Sequence, residues 1–355
     1  MAKQKPNLND YDADELLAEL RARELGLPSD KRKGRKQRAL AALDDTQLTK
    51  ALRDAQKVVY GVDDRLEAHE IDDPSAQRNA DSVASLIDIG NITDNGDGTS
   101  TIETVKFGDA NNLCSNERFR DQPTSPFCSG FLVSPDLLAT AGHCINGNNL
   151  ARTRFVFGFK MKPDGTANVV IPNEQIFLGV GIVAHELDQS GADFAVVKLE
   201  RVVQGRVPLS MRRTGKVSDQ SGLYVIGHPS GLPLKYAAGA VVRENASDDY
   251  FVANLDTYGG NSGSPVFNAA SDEVEGILVR GETDFVLANG CRVSNVCPTT
   301  GCRGEDVTRT TLFSQHVPES GEIEDLNEAL TERIDRLEES ITEIGAAVKR
   351  IEDTL

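Results

Sequence analysis

The chain contains no tryptophan, only three methionines and five histidines, and aromatic residues make up 5% of it. No apolar run approaches the ~18–20 residues that a membrane-spanning helix needs. The lysines of MAKQKPNLNDYDADELL are not followed by an apolar stretch, so an ordinary secretory leader is not expected. Position 2 is Ala2, where myristoylation needs glycine, and the C-terminal prenylation cysteine is missing. Positive charge is in deficit: 38 Lys and Arg against 55 Asp and Glu give −17. That excludes a protein that coats nucleic acid or anionic membrane with its whole surface. What is present is globular. Hydrophobic residues are 39% and charged residues 26% of 355 positions, enough for a packed core and room for two average domains. Collagen, mucin and rod-like coiled-coil compositions do not describe the whole, and no repeat of solenoid length occurs.

Charge divides the chain into three. Residues 1–57 carry 13 Lys/Arg against 10 Asp/Glu, and residues 318–355 carry 4 against 12, leaving −12 for residues 58–317. The first region reads as helical. Leu16, Leu17 and Leu20 open an amphipathic stretch that Gly26 and Pro28 end, a basic run follows at residues 31–38, and a further short helix is expected from about Asp45 to Gln56. The middle region holds all six cysteines and nearly every strand-like run. CSGFLVSPDLLAT reads as strand, Ser-Pro-Asp turn, strand; TRFVFGF, FAVVKLE, GLYVIGH, DYFVANL, SPVFN and EVEGILVR are similar runs between turn residues. Many short strands with few helical windows predict a mainly β antiparallel barrel or sandwich. The last region has a heptad: Ile323, Leu330, Leu337, Ile344 and Ile351, with Asn327, Ile334, Ile341, Val348 and Leu355 four residues after each. That pattern predicts a coiled-coil helix over 323–355 and a homo-oligomer, with dimer and trimer both open. A single amphipathic helix on its own core is the alternative.

Three segments carry chemistry, and their order matters. They are Thr140-Ala141-Gly142-His143-Cys144, Ala192-Asp193-Phe194-Ala195-Val196-Val197 and Gly259-Gly260-Asn261-Ser262-Gly263-Ser264-Pro265. Each alone has a plain structural reading as a turn or a strand end. Together they hold what acyl transfer needs. A serine hydroxyl is a weak nucleophile and requires a base within reach. A histidine takes its proton and returns it to the leaving amine, and a buried carboxylate fixes that histidine's tautomer. Glycines beside the serine let backbone N–H groups curl toward a developing oxyanion.

With these residues the chain resembles the trypsin/chymotrypsin superfamily of serine endopeptidases, nearest its bacterial glutamyl endopeptidase branch. The order His143, Asp193, Ser262 is that of the superfamily, distinct from the subtilisin and α/β-hydrolase orders. The resemblance covers roughly Val58 to Phe313, is strongest at GGNSGSPVFN (259–268), and is supported by ADFAVVKL (192–199) and VIGHPSG (225–231). It implies two six-stranded antiparallel β-barrels with the site between them. It also implies His143 as general base, Asp193 as its orienting carboxylate, Ser262 as nucleophile, and the Gly260 and Ser262 N–H groups as oxyanion hole. No metal or organic cofactor is required. The domains expected are a helical basic segment (1–57), a protease domain (58–317) and a coiled-coil helix (318–355).

Specificity follows from departures within the resemblance. The base of its primary pocket stands six residues before the nucleophile, at Asp256 beside Thr257, where glutamyl endopeptidases typically have a small hydroxyl residue. The acid-binding histidine of that branch aligns with Leu278, in the segment that runs to Arg280 and Gly281. A carboxylate floor and a missing histidine both point to cleavage after Lys or Arg, because the floor pairs with a cation and repels Glu. Arg280 argues for the acidic alternative if it turns into the pocket and neutralises Asp256. Outside the pocket, Asp256 would be a salt-bridge or turn residue.

Asn261 stands where trypsin-like zymogens carry an aspartate that pairs with the new N-terminal amine. Val58-Val59-Tyr60-Gly61-Val62-Asp63-Asp64-Arg65 nevertheless resembles a mature glutamyl endopeptidase N-terminus, and Lys57 precedes it, so cleavage between Lys57 and Val58 is expected if 1–57 is a pro-segment. The same region resembles a SAP-type DNA-binding module, with residues 31–38 as the phosphate contact; a pro-segment or docking helix pair is the other reading. By the resemblance Cys128 pairs with Cys144. Cys114, Cys291, Cys297 and Cys302 then allow three pairings, and their spacing lacks the C-x₂-C knuckles of common zinc sites. Disulfides indicate a secreted or periplasmic protein and the missing leader a cytoplasmic one. The rival to an enzyme is a protease-fold scaffold with a silent site.

Overall fold

In the computed structural model, residues 63–319 are described apart from 189–190, 258, 282–284, 289 and 299–300; so are 11, 13–24, 26, 40–41, 43–45, 47–49, 59–60, 333, 336–337 and 341. The chain forms two compact units, 1–316 and 317–355. In the second unit the described residues are Val317–Glu319, Arg333, Arg336, Leu337 and Ile341; Leu337 and Ile341 are exposed positions in helix. The rest of the heptad seam lies outside the described residues, as do the basic run 31–38 and the Lys57–Val58 junction.

The first unit is mainly β. Six strands close one barrel: β1 (Val83–Asp88), β2 (Cys128–Ser134), β3 (Leu137–Thr140), β4 (Thr153–Phe157), β5 (Ile176–Leu187) and β6 (Asp193–Leu199). Around it they run β1-β2-β3-β6-β5-β4. Six more form the second: β7 (Gly222–Gly227), β8 (Lys235–Glu244), β9 (Tyr250–Ala253), β10 (Pro265–Asn268), β11 (Val274–Arg280) and β12 (Glu305–Arg309). Their order is β7-β8-β9-β12-β11-β10, the β7–β8 pairing closes the ring, and the short strand Leu66–Glu67 adds to β8. The two barrels therefore share one topology.

The strands form where the sequence alternates or is apolar throughout. CSGFLVS is buried along its whole length as β2, and the Ser134-Pro135-Asp136 turn passes it to β3, also wholly buried. In β6 every residue but Lys198 is buried. Phe131, Phe155, Phe157 and Phe177 fill the first barrel, with Phe157 edge-on to Phe177 at 5.6 Å between ring centroids. Val225, Val242, Phe251, Val266, Leu278 and Val307 share one apolar cluster in the second. Each such side chain contributes about 1.5–3 kcal/mol by leaving water.

Near the N-terminus, helix α1 (Ala13–Glu24) ends at Gly26, where φ is +62° and the amide returns to Arg23 O at 2.9 Å. Leu16, Leu17, Leu20, Leu40, Leu43 and Leu48 make their own small core, against which Leu187 of β5 packs. Three disulfides join Cys114 to Cys291, Cys128 to Cys144 and Cys297 to Cys302, so the four cysteines left open by sequence reading are held as bridges and form no zinc site.

Candidate active site

His143 lies in the one-turn helix Gly142–Cys144 that follows β3, and Asp193 opens β6. Antiparallel pairing of β3 with β6 sets Thr140 opposite Ala195 and so brings the two segments together. The turn can approach this closely because position 142 is glycine: a Cβ there would stand 2.4 Å from Glu186 O and 3.0 Å from Phe194 O. The Cys128–Cys144 bridge ties the turn back to β2. Asp193 is fully buried and grips His143 twice. Its Oδ2 lies 2.8 Å from Nδ1, and the His143 amide donates to its Oδ1 at 3.0 Å. Burial pushes the Asp193 carboxyl up. The charge and hydrogen bond of the His143 ring, with Arg280 and the His143 amide, outweigh that and hold it below the usual carboxylate range. A ring that donates from Nδ1 to an ionised carboxylate presents its lone pair at Nε2.

Ser262 sits in the loop 259–264, ahead of β10. Gly260 and Gly263 take φ of +92° and +90°, conformations open to glycine. The loop is pinned on two sides. Ser129 of β2 donates its amide to Ser262 O at 2.8 Å and its hydroxyl to Gly260 O at 3.1 Å. Gly263 N donates to Leu278 O at 2.8 Å, and Leu278 N to Ser264 O at 3.0 Å. Ser262 O also lies 3.7 Å from Cys144 Sγ, next to the His143 turn. Among the described residues, no acceptor faces the amides of Gly260, Asn261 and Ser262. Buried amides left open in this way suit a ligand oxygen.

The pocket residues take different positions. Asp256 is buried, and its carboxyl hydrogen-bonds with that of Asp64. Burial pushes the Asp64 carboxyl up, Asp63 adds to this, and the Asp256 hydrogen bond opposes it. Thr257 is fully buried, and its hydroxyl has no hydrogen-bond partner among the described residues. Leu278 turns its side chain into the second barrel's core and offers the loop its backbone. Arg280 donates to Gly191 O at 2.8 Å and lies 3.5 Å from Asp306; it is drawn to the Asp193 side of the site. Gly281 lies flat against the Glu305 carboxylate. Sequence reading passed over Asp64 and Glu305. Asp64 stands in the loop before the strand Leu66–Glu67 and Glu305 opens the polar strand EDVTR, and nothing local says what either faces.

The N-terminal residues reach the same site. Thr49 donates to His143 O at 3.4 Å, and the side-chain Nδ2 groups of Asn146 and Asn148 donate to Asp45 Oδ2 at 3.1 and 3.2 Å. Arg23 pairs with Asp45 at 2.5 Å. The one set of side chains with metal-ligand spacing among the described residues is Cys128, His143 and Cys144, whose sulfurs are joined in a disulfide and offer no thiolate.

A family model described as trypsin-like peptidase domain matches residues 128–277. No curated protein matches the chain. Among solved structures, a Glu endopeptidase in complex with MPD is 18% identical, covering 73% of this chain and 97% of its own, with a TM-score of 0.43. The VesB protease of Vibrio cholerae is 14% identical over 73% of this chain and 66% of its own, with a TM-score of 0.44. The Rv3671c protease of M. tuberculosis in its active form is 14% identical over 74% of this chain and 89% of its own, with a TM-score of 0.40.

Proposed function

We propose that the chain, whose residues 128–277 match a model described as trypsin-like peptidase domain, cleaves peptide bonds with Ser262, His143 and Asp193. Ser262 Oγ attacks the scissile carbonyl while His143 Nε2 takes its proton. The Gly260 and Ser262 amides receive the oxyanion. His143 then gives the proton to the leaving amine, and water repeats the sequence to free the acyl group. The observation that carries this reading is the double grip of Asp193 on the ring and amide of His143, beside a glycine-framed serine loop with open amides.

The proposal extends to substrates with Lys or Arg before the scissile bond. Buried acid at the pocket supports it, as does Leu278 where an acid-binding histidine would stand. Three disulfides suggest an extracellular or periplasmic setting. The test is hydrolysis of a peptide panel with Arg, Lys, Glu, Leu or Ala before the bond, by wild type and Ser262→Ala. Cleavage after Arg and Lys, lost by several orders of magnitude in the variant, is expected. Turnover that survives Ser262→Ala contradicts the mechanism, and a preference for Glu contradicts the specificity.

A further inference from the structure

The segment VIGHPSG (225–231) supplies no member of the triad, yet it abuts the serine loop. β7 ends at Gly227 against that loop: a Cβ there would stand 1.9 Å from Ser264 Oγ and 2.7 Å from Asn261 Oδ1. The chain then makes the single turn Pro229–Gly231, in which Ser230 takes φ of +49° and ψ of +27°. That left-handed conformation costs a residue with a Cβ. The Gly231 amide closes the turn on His228 O at 3.1 Å, and the Leu232 amide on Pro229 O at 2.9 Å. The buried His228 ring holds it from behind, with Nδ1 3.0 Å from Leu232 O. The result is an amide at Ser230 that donates to Gly259 O.

Ser129 gives the same loop a second hold. It is fully buried on β2. Its hydroxyl accepts from the His228 amide at 3.0 Å and donates to Gly260 O at 3.1 Å, so the turn and the loop meet on one oxygen. Its amide donates to Ser262 O at 2.8 Å, and its carbonyl accepts from Thr140 Oγ1, at the end of β3, at 2.7 Å. Asn261 O accepts from the Ser264 amide at 2.8 Å. The carbonyls of residues 259 to 262 thus all have donors behind them. A trans peptide points its N–H away from its C=O. The Gly260 amide therefore turns away from the Ser230 hold on Gly259 O, and the Ser262 amide away from the Ser264 hold on Asn261 O. These are the two amides assigned to the oxyanion.

We propose that Ser129 is a positioning residue for the oxyanion hole: its hydroxyl joins the His228–Gly231 turn to Gly260 O and so fixes the peptide that lies between the two donor peptides. The inference rests on Ser262 being the nucleophile. Gly260 has φ of +92° and no side chain to limit its rotation. Without the hydroxyl, the Gly260–Asn261 peptide is free to turn, and the amides on either side of it lose their common aim. Donors held in place lower the barrier because they need no reorganisation as charge develops. Ser129 touches no substrate, so its effect falls on the transition state and leaves substrate binding unchanged.

The test uses the full chain and compares wild type with Ser129→Ala, with melting temperature as the check on folding. Ser85→Ala is the control, since it removes another buried strand hydroxyl, one that bonds Val156 O at 3.0 Å. The substrate is the peptide that wild type cleaves best in the panel above, prepared as its methyl ester and as the thionoester. Sulfur in place of the carbonyl oxygen fits a preorganised hole badly, so the ester-to-thionoester rate ratio reports the hole itself. Ser129→Ala is expected to lose about 10- to 100-fold in kcat, with KM within about twofold of wild type. Its ester-to-thionoester ratio is expected to fall at least fivefold, while Ser85→Ala keeps the wild-type ratio. Full activity in Ser129→Ala, a loss confined to KM, an unchanged ratio, or an equal fall in Ser85→Ala overturns the proposal. If Ser129→Ala does not fold, Ser129→Gly removes the same hydroxyl and must show the same fall; a wild-type ratio there is equally fatal. Fluorophosphonate labelling of wild type separates the two readings. Labelled wild type with an unchanged ratio in the variant refutes the role of Ser129 alone, and unlabelled wild type refutes the nucleophile and this role with it.

Discussion

Asp193 holds His143 through both ring and amide, so one carboxylate sets the tautomer and the position of the imidazole. Replacing it with asparagine leaves shape but not charge, and kcat is expected to fall by about 10⁴. The same carboxylate has a pH signature. Its folded pKa lies below the ordinary value, so its ionisation stabilises the fold above about pH 4 and that contribution is lost as pH falls through the lowered value. In urea titrations, the stability gap between wild type and Asp193→Asn is therefore expected to be full near neutrality and to shrink below about pH 4. A gap that stays constant down to pH 3 would be inconsistent with the lowered carboxyl. His228 lies near the loop but does not compete for the base's role: burial pulls its imidazole down to about 3, and Nδ1 is engaged by Leu232 O at 3.0 Å. The segments that carry His143, Asp193 and Ser262 stand out in sequence because each is a short motif whose turn residues shape it locally. The contact of Asp64 with Asp256 does not, since it joins a loop near the N-terminal strand to one far along the chain.

At the scale of elements, the serine loop depends on backbone geometry as much as on serine. A methyl group at Gly263 would lie 2.0 Å from Ser129 O and 2.4 Å from Thr140 Oγ1, on a residue with φ of +90°. Gly263→Ala is expected to lose about 1–3 kcal/mol of stability and most of its activity, since relief moves Ser262 away from the His143 turn. A calorimetric scan with a kcat measurement checks this, and wild-type values in both would contradict the role given to the loop. The strands themselves were readable: CSGFLVSPDLLAT became β2, turn and β3 as its apolar runs and Ser-Pro-Asp punctuation indicated. Their pairing was not. Two barrels share one strand order with no repeat in sequence, because alternation says which face is apolar but not which strand lies alongside.

Across the whole molecule, the N-terminal helical residues are part of the first unit and rest on the His143 flank of the cleft through Thr49, Asp45 and the leucine cluster around Leu187. These contacts restrain the turn that carries His143. Chain lacking residues 1–57 is accordingly expected to hydrolyse peptides with kcat/KM raised tenfold or more; equal rates in the two forms would mean that the docking is purely structural. Sequence reading saw helices and a junction in this region, but not their site of attachment, since amphipathic leucines specify a buried face and leave the partner open.

The central claim is an activated Ser262, and the most direct test is fluorophosphonate labelling with the modified residue identified by mass spectrometry. The account predicts one labelled site, Ser262, with labelling abolished in Ser262→Ala and reduced by orders of magnitude in His143→Ala. Wild-type protein that stays unlabelled after removal of residues 1–57, or labelling indifferent to His143, would contradict it.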